Sequence, residues 1–309
     1  MYIKKIGLGV IPALTLLLSS SVSNAADLVV MDEVPPATQD PWADAIISLS
    51  IGVGFPVSDD SDFDADAVFK IQGDARVRFG EADGLSLQLE TLGSYAGLYD
   101  EDGDADSAYS AFQAGAHIFQ RDSQSHALGG FLSFSGTSAI GDESNAGTLL
   151  AGVEVAQFVS NTTFVVQGGG AWDVLNDADS WDDGWFVRGV ARYFVTPHDR
   201  LEAEVTYAGG SFDRSDEGDP HGLTWGLEYE HQVGLSPLSY FARYEGWHVD
   251  LDEPPEIELD VTDRGTEHAV MVGIRTRFGF VSLLDQDRRG AGTFDLLDTA
   301  PFAAVPDEL

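Results

Sequence analysis

The chain has 309 residues, with 16 Lys+Arg against 52 Asp+Glu, a formal net charge of −36 and no cysteine. A polyanion of this strength repels nucleic acid and anionic lipid surfaces and attracts cations, and the missing thiols exclude disulfides and thiolate metal sites. The 34 glycines and 11% aromatic residues suit a sheet protein with many turns and close backbone approaches.

The chain opens with Lys4 and Lys5, an apolar run from Ile6 to Leu18, and small residues ending Ser23-Asn24-Ala25. That order predicts a secretory signal peptide over residues 1–25, the run being shorter than the ~20 apolar residues of a spanning helix. Without it, 14 Lys+Arg stand against 52 acids, a net charge of −38. No comparable run follows, so any membrane crossing by the mature protein falls to strands. Residues 26–44 carry Pro35, Pro36 and Pro41 without periodicity and are expected to form a lead-in.

From Ala45 the pattern changes to period two: Ile47, Leu49, Ile51, Val53 and Phe55 on one face, Ser48, Ser50, Gly52 and Gly54 on the other. The segment 68–79 repeats it, with Phe69, Ile71, Ala75, Val77 and Phe79 opposite Lys70, Gln72, Asp74, Arg76 and Arg78. Further strands are predicted over 85–98, 108–120, 126–137, 148–159, 163–174, 184–195, 200–212, 221–233 and 238–250. The closing one, 266–280, sets Val270, Val272, Ile274, Phe278 and Phe280 against Arg275 and Arg277. This gives about twelve strands. Short links (80–84, 121–125, 160–162, 196–199, 234–237) alternate with longer acidic ones (58–66, 99–107, 138–147, 175–183, 213–220, 251–265). A soluble sandwich can show the same alternation of residues but does not impose this alternation of connections. The expected fold is therefore all-β: a closed antiparallel up-and-down transmembrane barrel over 45–280, with both termini on the short-turn, periplasmic side. Aromatics fit two interfacial belts, Phe55, Tyr95, Trp172, Trp185 and Trp225 toward the long loops and Phe79, Phe164, Tyr193, Tyr240 and Phe278 toward the short turns.

These features, with a last strand reading Gly273-Ile274-Arg275-Thr276-Arg277-Phe278-Gly279-Phe280, resemble the outer-membrane β-barrel proteins of Gram-negative bacteria. The resemblance is architectural and singles out no functional family. It implies the cell outer membrane, contact with membrane lipids and lipopolysaccharide, and an assembly signal for the barrel assembly machinery at Phe278 and Phe280. Where many such chains end at that aromatic, this one continues over 281–309. That tail is expected to be a flexible periplasmic extension, with a segment that enters and plugs the lumen as the alternative.

The inward faces carry the candidate pore. Counting pairs across tight turns predicts Arg192 opposite Glu204, Glu204 opposite Glu228 and Glu228 opposite Arg243, with Glu202 and Glu230 one step lower. Arg76, Arg78, Arg275 and Arg277 lie across the closure. Such a constriction, with cationic and anionic walls set apart, would select permeating solutes; a barrel between eight and sixteen strands can equally fill itself with paired charges. The expected function is a porin-like channel for passive diffusion of small hydrophilic solutes or ions, with no cofactor and no reaction. A non-conducting structural or adhesive barrel is the alternative, and a homo-oligomer is compatible with either. A second alternative is a lipid hydrolase built from Ser211, His221 and Asp250 on the outer face, in the roles of nucleophile, base and orienter. The acidic run Asp100 to Asp106 invites a calcium reading but lacks the spacing of an EF-hand loop. The remaining histidines, among them His117, His231, His248 and His268, stand singly without metal-ligand spacing and read as surface or wall residues.

Overall fold

A computed structural model describes residues 42–57, 67–99, 105–140, 145–174, 181–212, 220–251 and 264–297, without the side chains at several strand ends. Twelve strands account for most of them: β1 (Ala43–Val57), β2 (Ala67–Gly80), β3 (Gly84–Tyr99), β4 (Ala105–Asp122), β5 (His126–Ile140), β6 (Asn145–Val159), β7 (Thr162–Asp173), β8 (Trp181–Thr196), β9 (Asp199–Phe212), β10 (Pro220–Gln232), β11 (Leu238–Leu251) and β12 (Arg264–Phe278). Each pairs antiparallel with its sequence neighbours, and β1 closes on β12. The closing register sets Ser48 opposite Arg275 and Ile46 opposite Arg277 on one side of β1, and Ile46 opposite Arg76 and Asp44 opposite Arg78 on the other.

The alternation is inverted relative to a soluble protein. On β1, Ile47, Leu49 and Ile51 are about half exposed, while Ser48 and Ser50 are buried. On β12, Val270, Val272, Ile274 and Phe278 face out and Glu267, Met271, Arg275 and Arg277 face in. A closed sheet with an apolar exterior and a polar interior gives every strand a backbone partner and suits a hydrocarbon surround. Of the expected belt residues, Trp172, Trp185, Phe164, Tyr193, Tyr240 and Phe278 are exposed on the outside.

Glycines let rings lie across neighbouring strands. Trp225 covers Gly246 and Phe241 covers Gly273, each pair directly opposite in register, and Trp185 covers Gly209 in the same way. A cross-strand ring over a bare backbone adds contact that a side chain at the glycine would block.

The chain turns inward after β12. Gly279 takes a positive φ of 109°, which a residue with a Cβ rarely adopts. Phe280 therefore lies beyond the last strand, half-buried, with the Arg289 guanidinium 5.7 Å from its ring centroid. Expecting Phe280 to be an outward residue of the closing strand is corrected on this point; Phe278 is the last outward aromatic of β12. A short helix, α1 (Leu283–Arg289), follows, its start capped by the Ser282 hydroxyl accepting from the Asp285 amide at 3.1 Å. Residues 290–297 continue without regular structure and are buried throughout. The expectation of a flexible extension does not hold for the described part of the tail. Hydrogen bonds tie it to short-turn backbone, from the Leu284 amide to Pro197 O at 3.2 Å and from the Gln232 side chain to Val281 O at 3.0 Å, so it enters the lumen at the short-turn end. Residues 298–309 lie outside the described structure.

Candidate functional site: a charged lumen shared with the tail

Strand register decides which charges meet. Val190 stands opposite Glu204; the turn pairs Thr196 with Asp199, one position tighter than expected, and an irregularity between Phe194 and Thr196 takes up one residue more, so Arg192 stands opposite Glu202 rather than Glu204. Across the β9–β10 connection Glu202 faces Glu228 and Glu204 faces Gly226, a shift of two positions from the tight-turn expectation. Glu228 opposite Arg243 is as read from the sequence, while Glu230 faces Arg200. The four-strand row is thus Arg192, Glu202, Glu228, Arg243, with the order of signs kept and Glu202 in the place expected for Glu204.

The charges are interlaced, not parted onto opposite walls. Arg200 bonds Glu228 at 2.5 Å and Glu230 at 3.1 Å; Arg275 bonds the same two at 2.9 and 2.7 Å. Arg277 pairs with Glu230 and accepts no part in the outer face. Glu204 lies between Arg188, at 2.5 Å, and Arg243. Arg76 meets Glu90 at 3.0 Å and Asp74 at 3.4 Å. Arg78 is fully buried against Asp44 at 2.6 Å, near the short-turn end. Burial makes every such charge costly unless paired, and multiple partners per carboxylate answer that cost.

The tail supplies partners the wall lacks. Arg192, with no exposed surface, donates to Glu202 (2.7 Å), Asp287 (3.0 Å), Gly292 O (2.7 Å), Thr293 O (2.8 Å) and Asp295 (3.2 Å). Arg188 grips Asp295 through both terminal nitrogens, at 2.9 and 3.3 Å, and Arg121 donates to Gly290 O, Arg289 O and Thr293 Oγ1. Asp44 accepts from the Gln286 side chain at 2.7 Å and the Ala291 amide at 2.6 Å. Burial alone would raise the Asp295 carboxyl; Arg188, Arg192 and Arg76 together hold it well below its ordinary value of 3.8. Apolar tail residues fill the gaps: Phe294 packs among Phe119, Phe158, Val165 and Val190, and Leu297 among Phe131, Leu150, Phe186 and Ala208.

Between this tail and the β1–β3 and β8–β12 walls a cavity of about 90 Å³ remains. Arg76, Arg200, Arg243 and Arg275 line it with Glu202, Glu204 and Glu228, and Gln286, Asp287 and Asp295 close the tail side. Of the residues that line it, Arg200 at Nε, Arg275 at Nε and Gln286 at Oε1 each carry a buried atom without a protein hydrogen-bond partner. Polar lining of this kind suits water, and at ~10–15 Å³ of such space apiece the cavity has room for several.

Sequence reasoning missed Arg188, Arg121, Glu90 and Glu154. Parity offered a signal, since Arg188 shares the face of Arg192 and Glu90 that of Gln88. His117 is no surface residue: it is fully buried, its Nδ1 3.0 Å from Glu154 and its ring stacked 6.4 Å from Phe294. The hydrolase set is not assembled by the register, which places His221 opposite Gly209 and Ser211 opposite Asp183, although Asp250 does face His221. Residues 100–104 of the acidic run, and the side chains of 105 and 106, lie outside the described structure.

No family model matches the chain, and no curated protein matches it. Among solved structures, an outer membrane channel from Pseudomonas putida F1 is similar at 13% identity and a TM-score of 0.53, covering 80% of this chain and 100% of that one. The translocator domain of the autotransporter NalP from Neisseria meningitidis matches at 12% identity and 0.46, over 87% of this chain and 97% of that one. A NanC porin matches at 10% identity and 0.48, over 74% and 98%. The first likeness shows the fold, an outer-membrane β-barrel.

Proposed function

We propose that the protein is an outer-membrane channel that passes small hydrophilic solutes or ions by passive diffusion, without a chemical step, through a lumen narrowed by its own C-terminal tail. The observation that carries this reading is the cavity between the tail and the charged wall, which is lined by arginine and glutamate side chains and has a mostly polar surface. The similar fold of a bacterial outer membrane channel supports it. Lipids and lipopolysaccharide would surround the apolar exterior, and the assembly machinery would act at β12 and Phe278, with a homo-oligomer compatible with this arrangement.

Conductance of the reconstituted full chain across a planar bilayer tests the reading. Discrete current steps are expected, and Arg243→Ala and Glu204→Ala, both facing the cavity, should move ion selectivity in opposite directions. A folded protein that never conducts would leave the structural barrel, the second reading, which the burial of residues 290–297 favours.

A further inference from the structure

The tail is held the way a ligand is held. Asp295 presents a carboxylate to a two-pronged Arg188 at 2.9 and 3.3 Å, to Arg192 at 3.2 Å and to Arg76 at 3.9 Å. Its neighbour Phe294, with no exposed surface, sits in an apolar pocket whose Phe119 ring meets it edge-on at 5.1 Å. Gln88 and Gln167 donate to the backbone oxygens of Phe294 and Asp295 at 2.9 and 3.0 Å, and Glu90 accepts the Leu296 amide at 3.2 Å.

The wall therefore offers an arginine fork beside an aromatic-lined pocket. A fork matches a planar carboxylate in two parallel bonds, and the pocket rewards a ring or a branched alkyl group. The wall is also built to miss an anion when the tail is away. Arg188 has wall partners in Glu204 and Gln167, and Arg192 in Glu202, but each also turns donors to the tail. We propose that this cradle, lined by Arg188, Arg192, Arg76, Gln167 and Phe119, is a binding site for small carboxylates bearing an aromatic or aliphatic group, and that Phe294-Asp295 is its resident competitor. The assignment names a solute class for the channel and rests on the channel reading for the ligand's passage, not for its binding.

Phenylacetate is the probe, titrated calorimetrically into full-length protein in detergent, with neutral phenylacetamide as control. Phe294→Ala combined with Asp295→Ala empties the cradle. Phenylacetate should bind this variant at least about tenfold tighter than it binds the unmodified protein, and about tenfold tighter than phenylacetamide does, a charge-assisted fork setting that scale. Adding Arg188→Gln should remove the preference for the acid. Equal binding of acid and amide, or none of either, overturns the assignment. If the double variant gives no heat-resistant barrel, Asp295→Asn, which keeps the side chain's shape, takes its place, and no gain in phenylacetate affinity over the unmodified protein overturns the proposal. Current across a bilayer is read on the same preparations: binding without current sinks the channel and leaves the cradle, and current without binding sinks the cradle.

Discussion

Arg192→Gln separates what the barrel needs from what the tail needs. Of the carboxylates Arg192 holds, Glu202 retains Arg200 at 3.5 Å, and Asp295 retains Arg188 at 2.9 Å. Asp287 retains the Thr163 hydroxyl at 2.6 Å as its donor among the described residues. Breaking a buried pair from one side costs about 3–5 kcal/mol because the remaining charge stays uncompensated. Here the stranded charge is on the tail, so the tail can escape the cost by leaving the lumen while the strand ladder persists. At about 1.4 kcal/mol per tenfold, the undocked population should rise by roughly a hundredfold to a few thousandfold. Hydrogen exchange reads this directly at the Gly290, Ala291 and Gly292 amides, which bond Gln286 O and Asp44 in the docked tail. Adding Asp287→Asn should recover part of the protection by removing the stranded charge. Unchanged exchange at those amides in a folded Arg192→Gln barrel would refute the role given to this arginine.

Three further outcomes follow from the same geometry. Val272→Arg places a cation on the lipid face near the middle of β12 and should destabilise the barrel by about 2–4 kcal/mol in urea unfolding from liposomes; a change under about 0.5 kcal/mol would mean the residue does not face hydrocarbon. Gly273→Val drives a Cβ to 2.6 Å from Leu49 O and into the Phe241 ring, so it should cost about 1–3 kcal/mol in the same assay and displace Phe241 from beneath the Arg275 guanidinium, 4.4 Å from its centroid. Acid should release the tail only late. Asp295 is held below its undocked value, so its contribution to docking is full above that value and is lost as pH falls through the lower, docked one. Gly292 amide protection should thus hold from about pH 7 to about pH 5 and fail below the ordinary 3.8; loss already in the upper range would contradict the assignment.

The barrel was legible because lipid and lumen impose opposite demands on alternate residues. Ser48 beside Leu49, or Arg275 beside Ile274, carries that contrast at single-residue resolution, and it set strand number and face. Register was legible where a turn is short, as for Glu228 with Arg243 across Gly234 to Pro237. It failed where the backbone takes up a residue near Val195, and across the β9–β10 connection, since neither leaves a periodic trace. The tail was hidden for a different reason. Its helix has 7 residues, too few to show an amphipathic period, and Phe294-Asp295-Leu296-Leu297 acquires meaning only from surfaces on β3 to β9 that lie far away in sequence, as Arg188 does at 107 positions and Gln88 at 206.

The segment that enters the lumen comes after the last strand, yet its partners are spread from the first strand to the eighth. Without it Arg121, Arg188 and Arg192 would keep part of their donor capacity unanswered. The stretch 290–292 thus works as a keystone: Asp44 on the first strand, Arg121 on the fourth and Arg192 on the eighth are drawn to these three residues, so their seating reports that three distant parts of the wall stand at the right distance from one another.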